Sequence, residues 1–521
     1  MRHATINETL ERFHRFRYQL ILEGVAVGIL SGLVVVLFRL LLEHGEDLRQ
    51  RILALAAGHP WGVLFWLFGL ALAAVIVCLL LRWEPYISGS GIPQVEAEML
   101  GLADPCWWRV LLAKISGGLL SVGCGLSLGR EGPSIQLGAM AAKGFSRLAG
   151  RSRTEERILL TCGAGAGLAA AFNAPFAGVL FALEEIHKNF TPEILLSAMS
   201  SAIAADFVSR NVFGLAPVFN LQTPALMPLG SYWHMILLGL LLGALGVVYN
   251  RTIALAQDLY QHIPTRLLRL LLPFLTAGAL GFLFPAVLGG GHQLVQEISA
   301  GSWLPAMLCL LFVVKFLFSM LSFGSGAPGG IFLPLLVLGA LIGAVYYYAA
   351  ATFFPLPEGA LANFIILGMA GYFSAIVRAP ITGIILISEM TGSFSHLLTL
   401  SIVSLCAYLV PDLLHCPPIY DQLRHRMLLR QQLHAETEKV LVTSVITHGA
   451  VADGRRVSEI EWPAGCLVVS LIRDGKESIP KGDTRLQAED RILLLCDEAE
   501  TAAAHEMLSL VCESICEQPQ E

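Results

Sequence analysis

The chain has 521 residues, of which 55% are hydrophobic and only 14% charged, against about 25% charged in soluble globular proteins; that balance excludes a string of soluble domains and points to a membrane protein. Its 11 cysteines are scattered with no CxxC pair, which excludes a secreted disulfide scaffold and a thiolate metal site. A net charge of −6 with no basic stripe excludes a nucleic-acid binder, and no cofactor or metal is expected.

In chain order, residues 1–19 carry Arg2, Arg12, Arg15 and Arg17. No short apolar core with a small-residue cleavage site follows them, so this segment is expected to remain, on the cytoplasmic side by the positive-inside rule. From about Leu20 apolar runs succeed one another. Trp61–Leu81 and residues 332–357 contain no charge, and each reaches the roughly 20 residues that a spanning helix needs. An all-α, polytopic membrane domain is predicted over 20–425.

Other runs are broken by Gly and Pro: GSGIP at 89–93, GREGPSIQLGA at 129–139, GAGAGLAAAFNAPFAGVLFALEE at 163–185 and SGAPGGIFLPLLVLGA at 325–340. Backbone exposed at such breaks cannot face lipid, so it is buried in protein or lines a wet cavity. A helix beginning inside the protein leaves its first N–H groups unpaired and carries about half a positive charge there, so these ends attract anions. Ser90 adds a hydroxyl donor without a full charge, which suits an ion that must also leave. Glu131 stands at one such start, where a carboxylate competes with an anion for the same N–H groups; the alternative is an ion pair with Arg130 or Lys114. Glu184 and Glu185 are intramembrane acids, which are costly and therefore functional candidates. Their alternative is to cap a helix or meet Lys188. Glu96 and Glu389 read as structural acids, His187 and Lys188 as solvated interface residues, and Lys315, inside an apolar run, as a lysine that snorkels or pairs with an acid.

After about Ala435 charges become frequent and the apolar runs shrink to CLVVSLI (466–472) and RILLLC (491–496). Residues 436–521 therefore read as a small α+β cytoplasmic domain, with short strands and then a helix over 502–516.

The long domain repeats itself. Gly129, Pro133, Leu137, Gly138 and Ala139 recur as Gly330, Pro334, Leu338, Gly339 and Ala340; Gly163, Ala174, Pro175, Gly178 and Glu184 recur as Gly368, Ala379, Pro380, Gly383 and Glu389. Broken helices at matching places in two halves mark a transporter whose site lies between the repeats. The repeat alone leaves open whether the halves are parallel or inverted.

GSGIP, GREGP, GGIFLP (329–334) and the late Tyr420 resemble, in type and order, the chloride-site motifs of the CLC family of chloride channels and proton-coupled chloride transporters. The resemblance implies an α-helical, inverted-repeat homodimer with an ion pathway in each subunit. It implies Ser90 and Tyr420 as hydroxyl donors to chloride, the N–H groups of Ile331 and Phe332 as further donors, Glu131 as external gate and proton acceptor, and Glu185 as the internal proton-transfer acid found in the family's exchangers. Serine at position 90 accompanies chloride preference in the family, whereas Gln94 departs from the acid many relatives carry there. The expected activity is exchange of chloride for protons in a bacterial inner membrane, with both termini cytoplasmic. A passive chloride channel, or a membrane-tethered ligand sensor that no longer transports, are the competing readings. The tail resembles the TrkA-C, or RCK-C, regulatory module. It lacks a GxGxxG loop, so no dinucleotide site is expected there; a small cytosolic ligand or a role in dimerisation is.

Overall fold

A computed structural model describes residues 6–188, 190–219, 221, 227–357, 359–432, 439–460, 462, 466–473, 476–497 and 507–513. Eight helices form the first half: α1 (Ile6–Ala56), α2 (Pro60–Trp83), α3 (Ile92–Met99), α4 (Trp107–Gly123), α5 (Glu131–Leu148), α6 (Arg153–Phe172), α7 (Pro175–Phe181) and α8 (Pro192–Phe213). Eight more follow in the same order of long and short: α9 (Trp233–Gln261), α10 (Arg266–Leu283), α11 (His292–Ser299), α12 (Pro305–Gly324), α13 (Phe332–Ala351), α14 (Ala360–Val377), α15 (Pro380–Thr391) and α16 (Leu397–Leu413). A further helix, α17 (Ile419–Gln432), carries Tyr420. Among the described residues, 7 helices are long and apolar enough to cross a membrane.

The breaks have local causes. Between α6 and α7 the chain turns through Asn173 in the left-handed region (φ 53°) and restarts at Pro175; between α14 and α15 it does the same through Arg378 (φ 72°) and Pro380. Proline at a first helical turn loses no needed donor. Arg378 lacks asparagine's tolerance of that conformation, and its guanidinium is tied to the carbonyls of Tyr408 (2.8 Å) and Cys416 (3.1 Å).

The halves are related by a local two-fold axis. Gly129 and Gly330, equivalent positions of the repeat, form an antiparallel bridge, each N–H donating to the other's carbonyl at 2.7 and 2.8 Å. Two equivalent residues exchanging hydrogen bonds in this way lie across a local two-fold axis. The acids of the repeat obey the same axis. Glu184 accepts from the N–H groups of Ile381 (3.4 Å) and Thr382 (2.8 Å) at the start of α15, and Glu389 accepts from Phe176 (3.2 Å) and Ala177 (2.8 Å) at the start of α7.

Two buried lysines complete the symmetry. Lys114 donates to the carbonyls of Ile87 (2.9 Å) and Gly89 (2.8 Å), and Lys315 to those of Val287 (2.9 Å) and Gly289 (2.7 Å). Lys315 therefore neither snorkels nor meets an acid: it is fully buried and ties down the loop before α11 as Lys114 ties down the loop before α3. Tight helix packing surrounds this centre. A Cβ on Gly138 would collide with the Gly163 carbonyl where α5 crosses α6, and one on Gly339 with the Gly368 carbonyl where α13 crosses α14.

Residues Met1–Arg424 and His425–Glu521 form two compact units. The second holds a four-stranded antiparallel sheet of β1 (Lys439–Val445), β2 (Leu467–Arg473), β3 (Lys476–Ser478) and β4 (Arg491–Asp497) in the order β1-β4-β2-β3. Its core includes Val442, Leu471, Ile492, Leu494 and Cys512, and Asp490 accepts two hydrogen bonds from Arg473 at 2.6 and 2.7 Å. Of the helix expected over 502–516, a π-helical turn at Ser509–Glu513 is seen; residues 502–506 and 514–516 lie outside the described residues.

Candidate functional site

The Ser90 loop, Glu131 and the start of α13 lie against one another beside the Gly129–Gly330 bridge. Ser90 lies on the tight loop between Gly89 and Gly91, both with positive φ (63° and 96°). Its hydroxyl oxygen accepts from the Ile92 N–H at 3.2 Å, and its proton remains free for another acceptor. Gln94 serves the same loop, donating to the Ser88 carbonyl at 2.7 Å. A Cβ on Gly132 would stand 2.8 Å from the Ser90 carbonyl oxygen, and one on Gly330 would stand 3.0 Å from the Gly132 nitrogen. The Ser90 loop, the first turn of α5 and the approach to α13 thus press on one another, and glycine at these positions permits it.

Ile331 and Phe332 open α13, so their N–H groups have no acceptor within that helix. The Phe332 ring, fully buried, packs against Phe373 (4.8 Å between centroids), Phe172 (5.5 Å) and Phe181 (6.1 Å). Phe181 in turn meets the Tyr420 ring edge-on at 6.4 Å. Tyr420 is fully buried and its hydroxyl has no hydrogen-bond partner among the described residues. A buried hydroxyl without a partner costs about 1–3 kcal/mol, unless something else accepts its proton.

Glu131 is the first residue of α5 and is fully buried. Neither carboxylate oxygen has a hydrogen-bond partner among the described residues, although the N–H groups of Glu131 itself and of Leu333, at the two helix starts, face it. The ion pairs considered from the sequence are not formed. Arg130 turns instead to Glu43 at 3.6 Å, and Lys114 to the two loop carbonyls. On the Arg130 side lies a cavity of about 830 Å³ whose charged lining includes Arg39, Arg49 and Arg130 together with Glu43 and Glu46.

Glu185 lies in a π-helical turn, Ala182–His187, that continues α7. It is 5% exposed, and its Oε1 has no hydrogen-bond partner among the described residues. Glu184, its neighbour, is committed to the start of α15. His187 meets the Thr161 hydroxyl at 3.0 Å, and Lys188 pairs with Asp421 at 2.7 Å. Reading the sequence missed the partner of Glu96: Arg424 Nη1 lies 2.7 Å from its Oε2. One signal was available, since residues 420 and 424 share a helix face. The pairing itself spans 328 positions and nothing local encodes it.

A separate acidic group, Glu98, Asp104 and Glu156, is matched by cations: Lys143 pairs with Glu98 and Asp104, Arg147 with Asp104 and Glu156, and Arg153 with Asp104 and Glu156. Burial alone would push Asp104 up, but the Lys143 hydrogen bond and charge, with Arg153 and Arg147, outweigh it and bring it down to about 2.

Comparison with known proteins agrees with this geometry. Residues 72–412 match the family described as voltage gated chloride channel, and residues 441–509 match the TrkA-C domain. The chain is 38% identical over 444 residues to an H(+)/Cl(-) exchange transporter, ClcA, of Vibrio cholerae serotype O1, covering 83% of this chain and 94% of that protein. It is 35% identical over 429 residues to the H(+)/Cl(-) exchange transporter ClcA of Yersinia pestis, covering 79% and 88%. Among solved structures it resembles a slow cyanobacterial Cl-/H+ antiporter (TM-score 0.75, 31% identity, covering 79% of this chain and 99% of that one). A CLC-type fluoride/proton antiporter shares the fold at TM-score 0.66 and 22% identity, covering 80% of this chain and 98% of that one.

Proposed function

The chain belongs to the voltage gated chloride channel family, and we propose that it is a secondary active antiporter that exchanges chloride for protons. The observation that carries this reading is Glu131: a fully buried carboxylate with no side-chain partner among the described residues, set where the first N–H groups of α5 and α13 converge. Those dipoles hold chloride or the ionised carboxylate, one at a time. Protonated Glu131 leaves the seat and chloride takes it; deprotonated Glu131 returns and expels the ion. Ser90 and Tyr420 donate hydroxyl hydrogen bonds to the dehydrated chloride, and the N–H groups of Ile331 and Phe332 add two more donors.

Glu185 supplies the proton from the opposite side. Its burial and an oxygen without a partner among the described residues support a path from Glu185 past the anion site to Glu131. The arginines of residues 1–19 support a cytoplasmic N-terminal segment by the positive-inside rule. The functional unit is a homodimer with an ion pathway in each subunit, and the TrkA-C unit adjusts the rate by binding a small cytosolic ligand or by supporting dimerisation.

The roles of the two acids are separable. In liposomes that report chloride and proton flux together, Glu131→Ala carries chloride with no coupled protons, and Glu185→Gln loses proton movement while chloride still crosses. Proton coupling that survives either substitution contradicts the assignment of that residue.

A further inference from the structure

One face of α5 holds α3 along its length. A Cβ on Gly132 would stand 2.8 Å from the Ser90 carbonyl oxygen, and one on Gly91 would stand 2.7 Å from the Gln136 Cβ. The Gln136 amide also donates to the Tyr86 carbonyl at 2.9 Å, just ahead of the Ser90 loop. At the far end Lys143, fully buried, pairs with Glu98 of α3 and with Asp104 (2.7 Å), and donates to the Pro105 carbonyl at 2.7 Å. Residues 132, 136 and 143 fall at i, i+4 and i+11 and so share one helix face, over about 16 Å. Both helices carry the site at their starts: Ser90 lies just before α3, and Glu131 opens α5.

The repeat supplies an internal comparison. By the repeat, α11 and α13 are the equivalents of α3 and α5, and the loop contact recurs: a Cβ on Gly291 would stand 3.1 Å from Val337, the counterpart of Gln136. Where the first half has Glu98 and Lys143, however, the second has Ile298 and Ala344, both buried. Packing such a short helix on its long neighbour therefore needs no ions. A buried ion pair is costly to desolvate, and apolar residues in its place are often neutral or stabilising. What the ion pair adds is direction. Apolar contact is non-directional and lets a helix slide, whereas Lys143, engaged by Glu98, Asp104 and the Pro105 carbonyl at once, fixes α3 at one height along α5. The pair stands in the half that carries Ser90; position 290 in the other half is glycine.

We propose that Lys143 and Glu98 are positioning residues for the anion site: their ion pair sets the height of α3 on α5, and with it the place of the Ser90 hydroxyl relative to Glu131. This inference rests on the assignment of Ser90 as a donor to chloride. Without the pair α3 slides along α5, the Ser90 hydroxyl leaves the ion, and the remaining donors hold chloride more weakly.

The test uses the full chain, with chloride Kd measured by calorimetry in detergent and maximal transport rate in liposomes. Glu98→Ile combined with Lys143→Ala builds the second half's pairing into the first. It is expected to weaken chloride binding roughly 12-fold or more, the order of one lost hydrogen bond to an ion, while the melting midpoint and the maximal rate stay near those of the wild type. In a Ser90→Ala background the same pair of substitutions should add no further weakening, because both act through one hydroxyl. A Kd at the wild-type value, with or without a fall in melting midpoint, makes the ion pair merely structural and overturns the proposal, as does an equal further weakening in the Ser90→Ala background. If the apolar pair does not fold, Glu98→Gln, which keeps the side-chain volume and cuts the ion pair, decides by the same reading. An unchanged Kd in Ser90→Ala removes the parent assignment and this inference with it. Weakened binding in Ser90→Ala, with wild-type affinity in the apolar pair, overturns only the inference.

Discussion

Tyr420 and Asp104 show how differently single side chains are used in this molecule. The Tyr420 hydroxyl is buried with no partner, which is tolerable where an anion completes it. Tyr420→Phe removes one hydrogen bond to a charged group, worth about 1.5–3 kcal/mol, so chloride binding measured by calorimetry in detergent should weaken by roughly 12- to 160-fold; an unchanged affinity would place the hydroxyl outside the site. Asp104, by contrast, is saturated with cations. Its folded-state pKa, about 2, lies below the roughly 3.9 of a free aspartate, so its contribution is present above about pH 4 and is lost as pH falls through about 2. The thermal stability of the wild type over Asp104→Asn should therefore be largest near neutrality and shrink on acidification through that window; a difference that grows towards low pH would contradict the sign. The helix starts at Glu131 and Phe332 and the turn at Ser90 were legible in the sequence because glycine and proline mark them locally, whereas Tyr420 was singled out through the family resemblance. The Glu96–Arg424 pair and the burial of Lys315 were not, because their partners are supplied by segments distant in sequence.

At the scale of elements, the short helices α7 and α15 are held by each other's acids. Glu184 caps α15 and Glu389 caps α7. The sequence revealed that these glutamates recur in the two halves, but only the two-fold arrangement of the halves shows why: the axis brings each acid to the other's helix. An alanine at either position removes acceptors from two N–H groups and should cost about 0.5–2 kcal/mol, visible as a similar fall in thermal midpoint for Glu184→Ala and Glu389→Ala. A fall confined to one would show that the caps are not equivalent. The glycine crossings are less forgiving. Gly138→Val inserts a side chain against the Gly163 carbonyl and should destabilise the domain by more than either cap variant in the same melt, whereas the exposed Gly58, with nothing near its Cβ position, should accept alanine with little change.

Over the whole molecule, the membrane domain is two copies of one eight-helix plan, and the polar groups proposed for transport gather where the copies meet. Composition and interrupted apolar runs were enough to predict a polytopic helical domain with a repeat. The two-fold relation of the halves was not legible, since it rests on the Gly129–Gly330 bridge across the axis. The TrkA-C unit brings a separate core, and deletion of residues 436–521 should leave chloride–proton coupling intact while altering the transport rate or its response to cytosolic ligands; unchanged rate, ligand response and dimerisation would make the unit passive. The central claim is tested most directly by wild-type protein in weakly buffered liposomes loaded with chloride at equal starting pH. Outward chloride movement should draw protons inward against the pH gradient that builds, so that the outer medium turns steadily alkaline; chloride efflux that leaves the outer pH unmoved, with membrane voltage clamped by a potassium ionophore, would contradict it.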